Sequence, residues 1–215
     1  SSGTQLGQPD EDLPDYVQAY KLPKDNIIDS VNMSPGGRAP ISMVDALAPI
    51  PAAGAAATGI GALVSILDVD GGIRSEPLLV NYYDDFYPTM ALLLAAKSLN
   101  LTVNDIKASF GDSVSLGRLN IKTDGQSLMN IFFYSDDEFG KQAFPVDSFY
   151  DVLQGKIPAS KYNNKIVLIG ATAIGVGDSM VTPVDPSMPP VMILAHSVSS
   201  ILNEDFFIQP AWGIY

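Results

Sequence analysis

The chain contains no cysteine and a single histidine, His196. Those absences remove disulfides, thiolate nucleophiles and ordinary zinc sites together. Basic residues are scarce too: 12 Lys and Arg stand against 24 Asp and Glu, a formal net charge of −12. A surface of that sign repels phosphate backbones and anionic headgroups, which argues against nucleic-acid binding. Also missing is an unbroken apolar run long enough to span a bilayer. Residues 46–67 carry no charge, but Pro49, Pro51, Gly54, Gly59 and Gly61 interrupt them. A spanning helix needs about 20 mostly apolar residues without such breaks. The stretch reads instead as a helix end, a loop and a strand over 62–67, with no transmembrane helix in the chain.

What remains is a folded protein. Of 215 residues, 47% are apolar and only 17% charged, enough to bury a core. The first forty residues are polar and punctuated by prolines, and predict a short helix over 10–20 followed by irregular chain. Ser42 offers a cap for a short helix over 42–47. The strand 62–67 runs into the acidic turn Asp68-Val-Asp70-Gly71-Gly72, and 76–83 forms the next strand. Pro88 suits the first turn of a helix over 88–97. Segments 113–116, 119–123 and 128–134 read as a small antiparallel set, separated by Gly117 and by Asp124-Gly125. A helix over 146–154 stops at Gly155, and 165–169 is the central strand. Pro189-Pro190 opens a last helix, on which Val191, Leu194, Ala195, Val198, Ile201 and Leu202 recur at helical spacing. The pattern predicts an α/β fold: a single domain with a mixed central β-sheet flanked by helices, plus a small antiparallel hairpin region. Residues 1–45 form an irregular leading segment, 46–212 the domain proper, and 213–215 its outgoing end.

A glycine loop follows the 165–169 run, with Gly170, Gly175 and Gly177. A dinucleotide fingerprint needs G-x-G-x-x-G opening into a helix, whereas the residues after Asp178 lead to Thr182-Pro183. No Gly-Lys-Ser/Thr phosphate loop occurs either, so the segment reads as a structural turn. Ala195-His196-Ser197-Val198-Ser199 has the small flanking residues of a nucleophile elbow. Yet the lone histidine precedes the serine on one helical run, leaving no separate base. Asp68-x-Asp70-Gly71 resembles the start of a calcium loop, but Ile73 and Leu79 occupy the positions where glycine and glutamate belong. No metal, cofactor or catalytic residue is therefore assigned. Arg74 follows the acidic turn, and either pairs with Asp68, Asp70 or Asp178 or offers a charged fork to an anionic ligand. Phe206, Phe207, Trp212 and Tyr215 crowd the last ten residues, as in a core-packing tail or at a membrane boundary.

Taken together, Gly61-Ala-Leu-Val, Asp68-Val-Asp70-Gly-Gly-Ile-Arg74, Pro77-Leu78, Phe149-Tyr-Asp-Val-Leu153-x-Gly155, Lys165-Ile-Val-Leu-Ile-Gly170-Ala-Thr-Ala-Ile-Gly-Val-Gly-Asp178, Thr182-Pro183 and Pro189-x-Val191 resemble the second CHASE class of extracellular sensor domains. The resemblance covers about residues 55–212, and its most specific part is 165–183. It implies a domain outside the cytoplasmic membrane of a bacterium, with one transmembrane helix before it and several after. Cytoplasmic outputs in that family include adenylate and guanylate cyclases, histidine kinases, diguanylate cyclases and serine/threonine kinases. A stretch like Pro210 to Trp212 stands just before the membrane in such proteins. Two departures stand out: Pro190 replaces a usual glycine, and Leu194-Ala195-His196 stands where His-Ala-Asn is common.

The expected function is thus a periplasmic or extracellular signal-input domain, without catalysis, that detects a small molecule or a protein partner. The loop after 165–169 should face the sensing cleft, with Arg74, Asp178 and Thr182 as ligand-binding residues. An α/β hydrolase or nucleotide-binding enzyme using the 170–183 loop is the alternative, and a structural module that pairs into a homodimer is the second.

Overall fold

The computed structural model describes residues 12–28, 39–83, 85–136, 143–173 and 179–207. At its centre two helices cross. Helix α3 (Met90–Ser98) is built from Leu, Ala and Met, strong helix formers, and α5 (Pro190–Asn203) begins on a proline whose missing N–H costs nothing there. Three shorter helices precede or separate them: α1 (Asp15–Gln18), α2 (Pro51–Ala56) and α4 (Phe149–Leu153). Helix α3 buries Ala91, Leu92, Leu93, Ala95 and Ala96, so it is enclosed on almost every side. The small alanines let neighbours approach, and the core runs from this helix to Val198 and Ile201 of α5.

Three small sheets surround the pair. The first has β1 (Ile27–Ile28) parallel to β6 (Ile106–Ser109), followed by the antiparallel β7 (Ser113–Leu116) and β8 (Leu119–Lys122). The second has β2 (Ile41–Met43) parallel to β4 (Leu79–Tyr82), which turns back into β5 (Asp85–Pro88). The third is antiparallel, with β9 (Leu128–Ile131) between β3 (Ser75–Pro77) and β10 (Phe206–Phe207). The mixed α/β class therefore holds, with three sheets around two helices.

Several local expectations fail for identifiable reasons. Residues 42–47 form no helix; Ile41–Met43 is a strand because it finds β4 as a parallel partner. The 76–83 run is split at Leu78, where the chain passes from the third sheet to the second. The 128–134 segment does not join β7 and β8, since β9 pairs with β3 and β10. Pro88 ends an edge strand, which tolerates its missing donor, and α3 starts at Met90. Neither 62–67 nor 165–169 lies in a ladder; among the described residues only Ala62 makes a bridge, to Thr89. Extended chain must borrow hydrogen-bond partners, and beyond their first residues, Ala62 and Lys165, these two runs have none among the described residues. Their outer faces are correspondingly wet: Leu63 is 74% exposed and Ile169 76%.

Candidate functional site

The unpaired 165–170 run forms one wall of a cavity of about 930 Å³. Phe144 to Tyr150 and the 3-10 turn Ala159–Tyr162 form other walls, and Val191, Met192 and Ala195 of α5 close it. Gly170 sits where only glycine fits, because a Cβ there would lie 2.6 Å from Val191 Cβ. That close approach anchors the wall to the first turn of α5. Most of the lining is apolar, and its charge is concentrated in one group. Lys161 Nζ donates to Asp147 Oδ1 at 2.7 Å, and Tyr162 OH donates to Oδ2 at 2.9 Å. The Lys161 and Tyr162 donors hold the Asp147 carboxyl below its ordinary range, and the Lys165 charge adds to this. Lys165 itself forms no ion pair among the described residues.

A second face of α5 carries a buried polar seam. His196, Ser197 and Ser200 are all buried. The Phe132 N–H donates to Ser200 Oγ at 3.0 Å, and the Tyr134 N–H donates to His196 Nδ1 at 3.1 Å. The His196 ring stacks on Tyr134 and meets Phe144 edge-on at 4.8 Å. Burial among these rings pushes its pKa down to about 4, so the imidazole is neutral. Ser197 Oγ donates to Glu76 Oε2 at 3.1 Å. The Glu76 residue keeps some exposure, but its carboxyl end is desolvated, and burial pushes its pKa up to about 8. Phe144 belongs to both regions, since it lines the cavity and touches His196. The sequence reading weighed His196 and Ser197 only as a rejected nucleophile elbow, and it passed over Glu76 and Ser200. The available signal was polar residues at 196, 197 and 200, which share one face of a mostly apolar helix.

The residues expected at the site are placed differently. Arg74 Nη1 lies 2.6 Å from Asp68 Oδ2, and Nη2 lies 2.6 Å from Asp70 Oδ2. The Arg74 donors hold the Asp70 carboxyl far below the usual range and raise the guanidinium in return. Both acidic side chains are thereby committed to arginine. Thr182 is buried, and its hydroxyl donates to Asp185 O at 2.9 Å while accepting from the Asp185 N–H. The two turns abut through the Ile73 N–H, which donates to Val181 O at 2.8 Å. The structure thus brings the Arg74 and Thr182 turns together, but neither residue lines the cavity. Asp178 lies outside the described residues. For the hydrolase alternative, Ser197 is turned to Glu76 and His196 to a backbone amide, so serine and base are not paired.

A family model described as the CHASE2 domain matches residues 3–215, nearly the whole chain. The chain belongs to the CHASE2 family. CHASE2 domains are extracellular sensory domains of signalling receptors and are not themselves catalytic. The match reaches well upstream of residue 55, where the sequence resemblance begins. No curated protein and no solved structure matches this CHASE2 domain. Among its described residues, no helix is long and apolar enough to cross a membrane.

Proposed function

We propose that this CHASE2 domain is the signal-input part of a bacterial transmembrane receptor, and that it detects a small molecule in the cavity beneath α5. The observation that carries this reading is the double role of α5. One face closes the cavity through Val191, Met192 and Ala195. The other is bonded to the chain around β9 through His196 and Ser200, and β9 holds β10, the strand that leads to the chain's end. A ligand that binds two positions of α5 unequally shifts the outgoing chain with it. The output lies in the cytoplasm: an adenylate or guanylate cyclase, a histidine kinase or a diguanylate cyclase.

A thermal-shift screen against small metabolites tests this, because selective binding to the folded state raises apparent stability. A hit should lose its shift in Ala195→Trp, which fills the cavity. A hit whose shift survives that change places the signal elsewhere. A second reading, pairing of two copies, rests on the exposed extended run at 166–169, whose backbone edges have no partners among the described residues. Light scattering on the eluting domain tests it, and a strict monomer at high concentration removes it.

A further inference from the structure

The charge inside the cavity is opposite in sign to that of the protein around it. The chain carries a net charge of −12, with only 12 basic residues. Among the described residues, two of them, Lys161 and Lys165, line this one cavity together with a single carboxylate, Asp147. Lys161 is paired with Asp147 at 2.7 Å, and Lys165 forms no ion pair of its own among the described residues, so their lining carries one surplus positive charge. Beside it, the backbone N–H groups from Ile166 to Gly170 make no hydrogen bond to any described residue. The rest of the lining is largely apolar and includes Phe149, Val167, Ile169, Val191 and Met192. A volume of about 930 Å³ is at the upper end of the range for small-molecule sites, too large for a lone inorganic ion.

We infer that the cavity binds a monomeric amphipathic monocarboxylate, an unbranched fatty acid being the simplest, with its carboxylate on Lys165 and the free amides of 166–170 and its chain along the apolar walls. This rests on the proposed sensing role of the same cavity and names its ligand class. Polyanions are disfavoured because only one positive charge is surplus among the described lining residues. Neutral apolar molecules would leave the ammonium and the amides without an anionic partner.

Titration calorimetry of this chain with octanoate, decanoate and dodecanoate below their micellar concentrations provides the test. Binding should be one to one and should strengthen roughly tenfold for each two methylenes added. Decanoate should bind at least about tenfold more tightly than 1-decanol. Lys165→Met, which keeps the apolar stem, should erase that preference while leaving the alcohol's affinity unchanged. Ile169→Glu alters a solvent-exposed side chain, so folding should survive. It should weaken both compounds by removing apolar wall, and decanoate the more because its carboxylate is also repelled. Equal affinity for acid and alcohol overturns the ligand class while leaving the cavity as a binding site. Binding seen only at micellar concentration overturns it too. If neither compound binds, the ligand class fails, and a metabolite hit that Ala195→Trp abolishes would still uphold the sensing site. Acid binding that ignores both Lys165→Met and Ile169→Glu puts the carboxylate site elsewhere on the protein.

Discussion

Helix α3 and the 165–170 run are both short, strongly apolar segments, and they end in opposite environments. Leu92 of α3 is 0% exposed, whereas Ile169 is 76% exposed. The difference lies in the backbone. A helix satisfies its own N–H and C=O groups, so α3 can be buried wherever its side chains pack. An extended run must take its hydrogen bonds from a neighbour, and 166–170 has none among the described residues. Hydrophobicity decided that both segments should lie against the core. Hydrogen bonding decided which of them is enclosed.

The sharpest way to break this comparison is paired truncation. Leu92→Ala should cost about 2–5 kcal/mol of unfolding free energy, and Ile169→Ala less than about 0.5 kcal/mol. Urea denaturation of both variants measures the gap. Similar losses at the two sites would show that the exposed run is packed in solution. Gly170→Ala probes a point where that run presses on α5. The added methyl, 2.6 Å from Val191 Cβ, should cost about 1–3 kcal/mol. Adding Val191→Gly, which removes the Cβ itself, should recover part of that loss beyond its own cost, and strictly additive costs would mean that the two residues are not in contact.

The buried seam gives a pH signature that the exposed run lacks. Glu76, raised from 4.5 to about 8, holds its proton more tightly when folded, so its contribution to stability falls as pH rises from about 4.5 to 8. His196, lowered from 6.5 to about 4, is protonated more readily when unfolded, so its contribution rises between about 4 and 6.5. The two oppose each other below 6.5, and Glu76 acts alone above it. Melting temperature should therefore decline between pH 6.5 and 8. Glu76→Gln should flatten that decline, and a variant that keeps the wild-type slope would assign it to another group. The smallest effect is expected at Arg74→Ala. Its ion pairs with Asp68 and Asp70 are all on exposed side chains, so added salt should shift the melting of wild type and variant almost alike. A large loss would give the 68–74 turn a structural weight that its exposure does not suggest.

The features that were legible in the sequence are local ones. Pro189-Pro190 starts α5, Gly155 with φ 69 ends the turn after α4, and the β7 and β8 hairpin falls where its glycine signal puts it. Each depends on a residue's own backbone preference. Features that depend on a distant partner were not legible. Nothing in residues 128–131 tells that their neighbours are β3 and β10 rather than β8. The same limit governs the site. The pairing of Arg74 with the acidic turn spans only a few residues and was readable. The Asp147–Lys161 pair and the Glu76–Ser197 contact join segments that only the fold brings together.

Strand β10 is only two residues long, and it follows α5 after the left-handed Glu204, with φ 60. In its register on β9, Phe206 is half-buried and Phe207 exposed. Because side chains alternate across a strand, sliding β10 by one residue would turn Phe206 out and Phe207 in. The smallest shift that restores the same face is two residues, about 7 Å. Strand β10 is thus indexed on β9 like a ratchet: with the same face inward it can hold its register or jump, but it cannot creep.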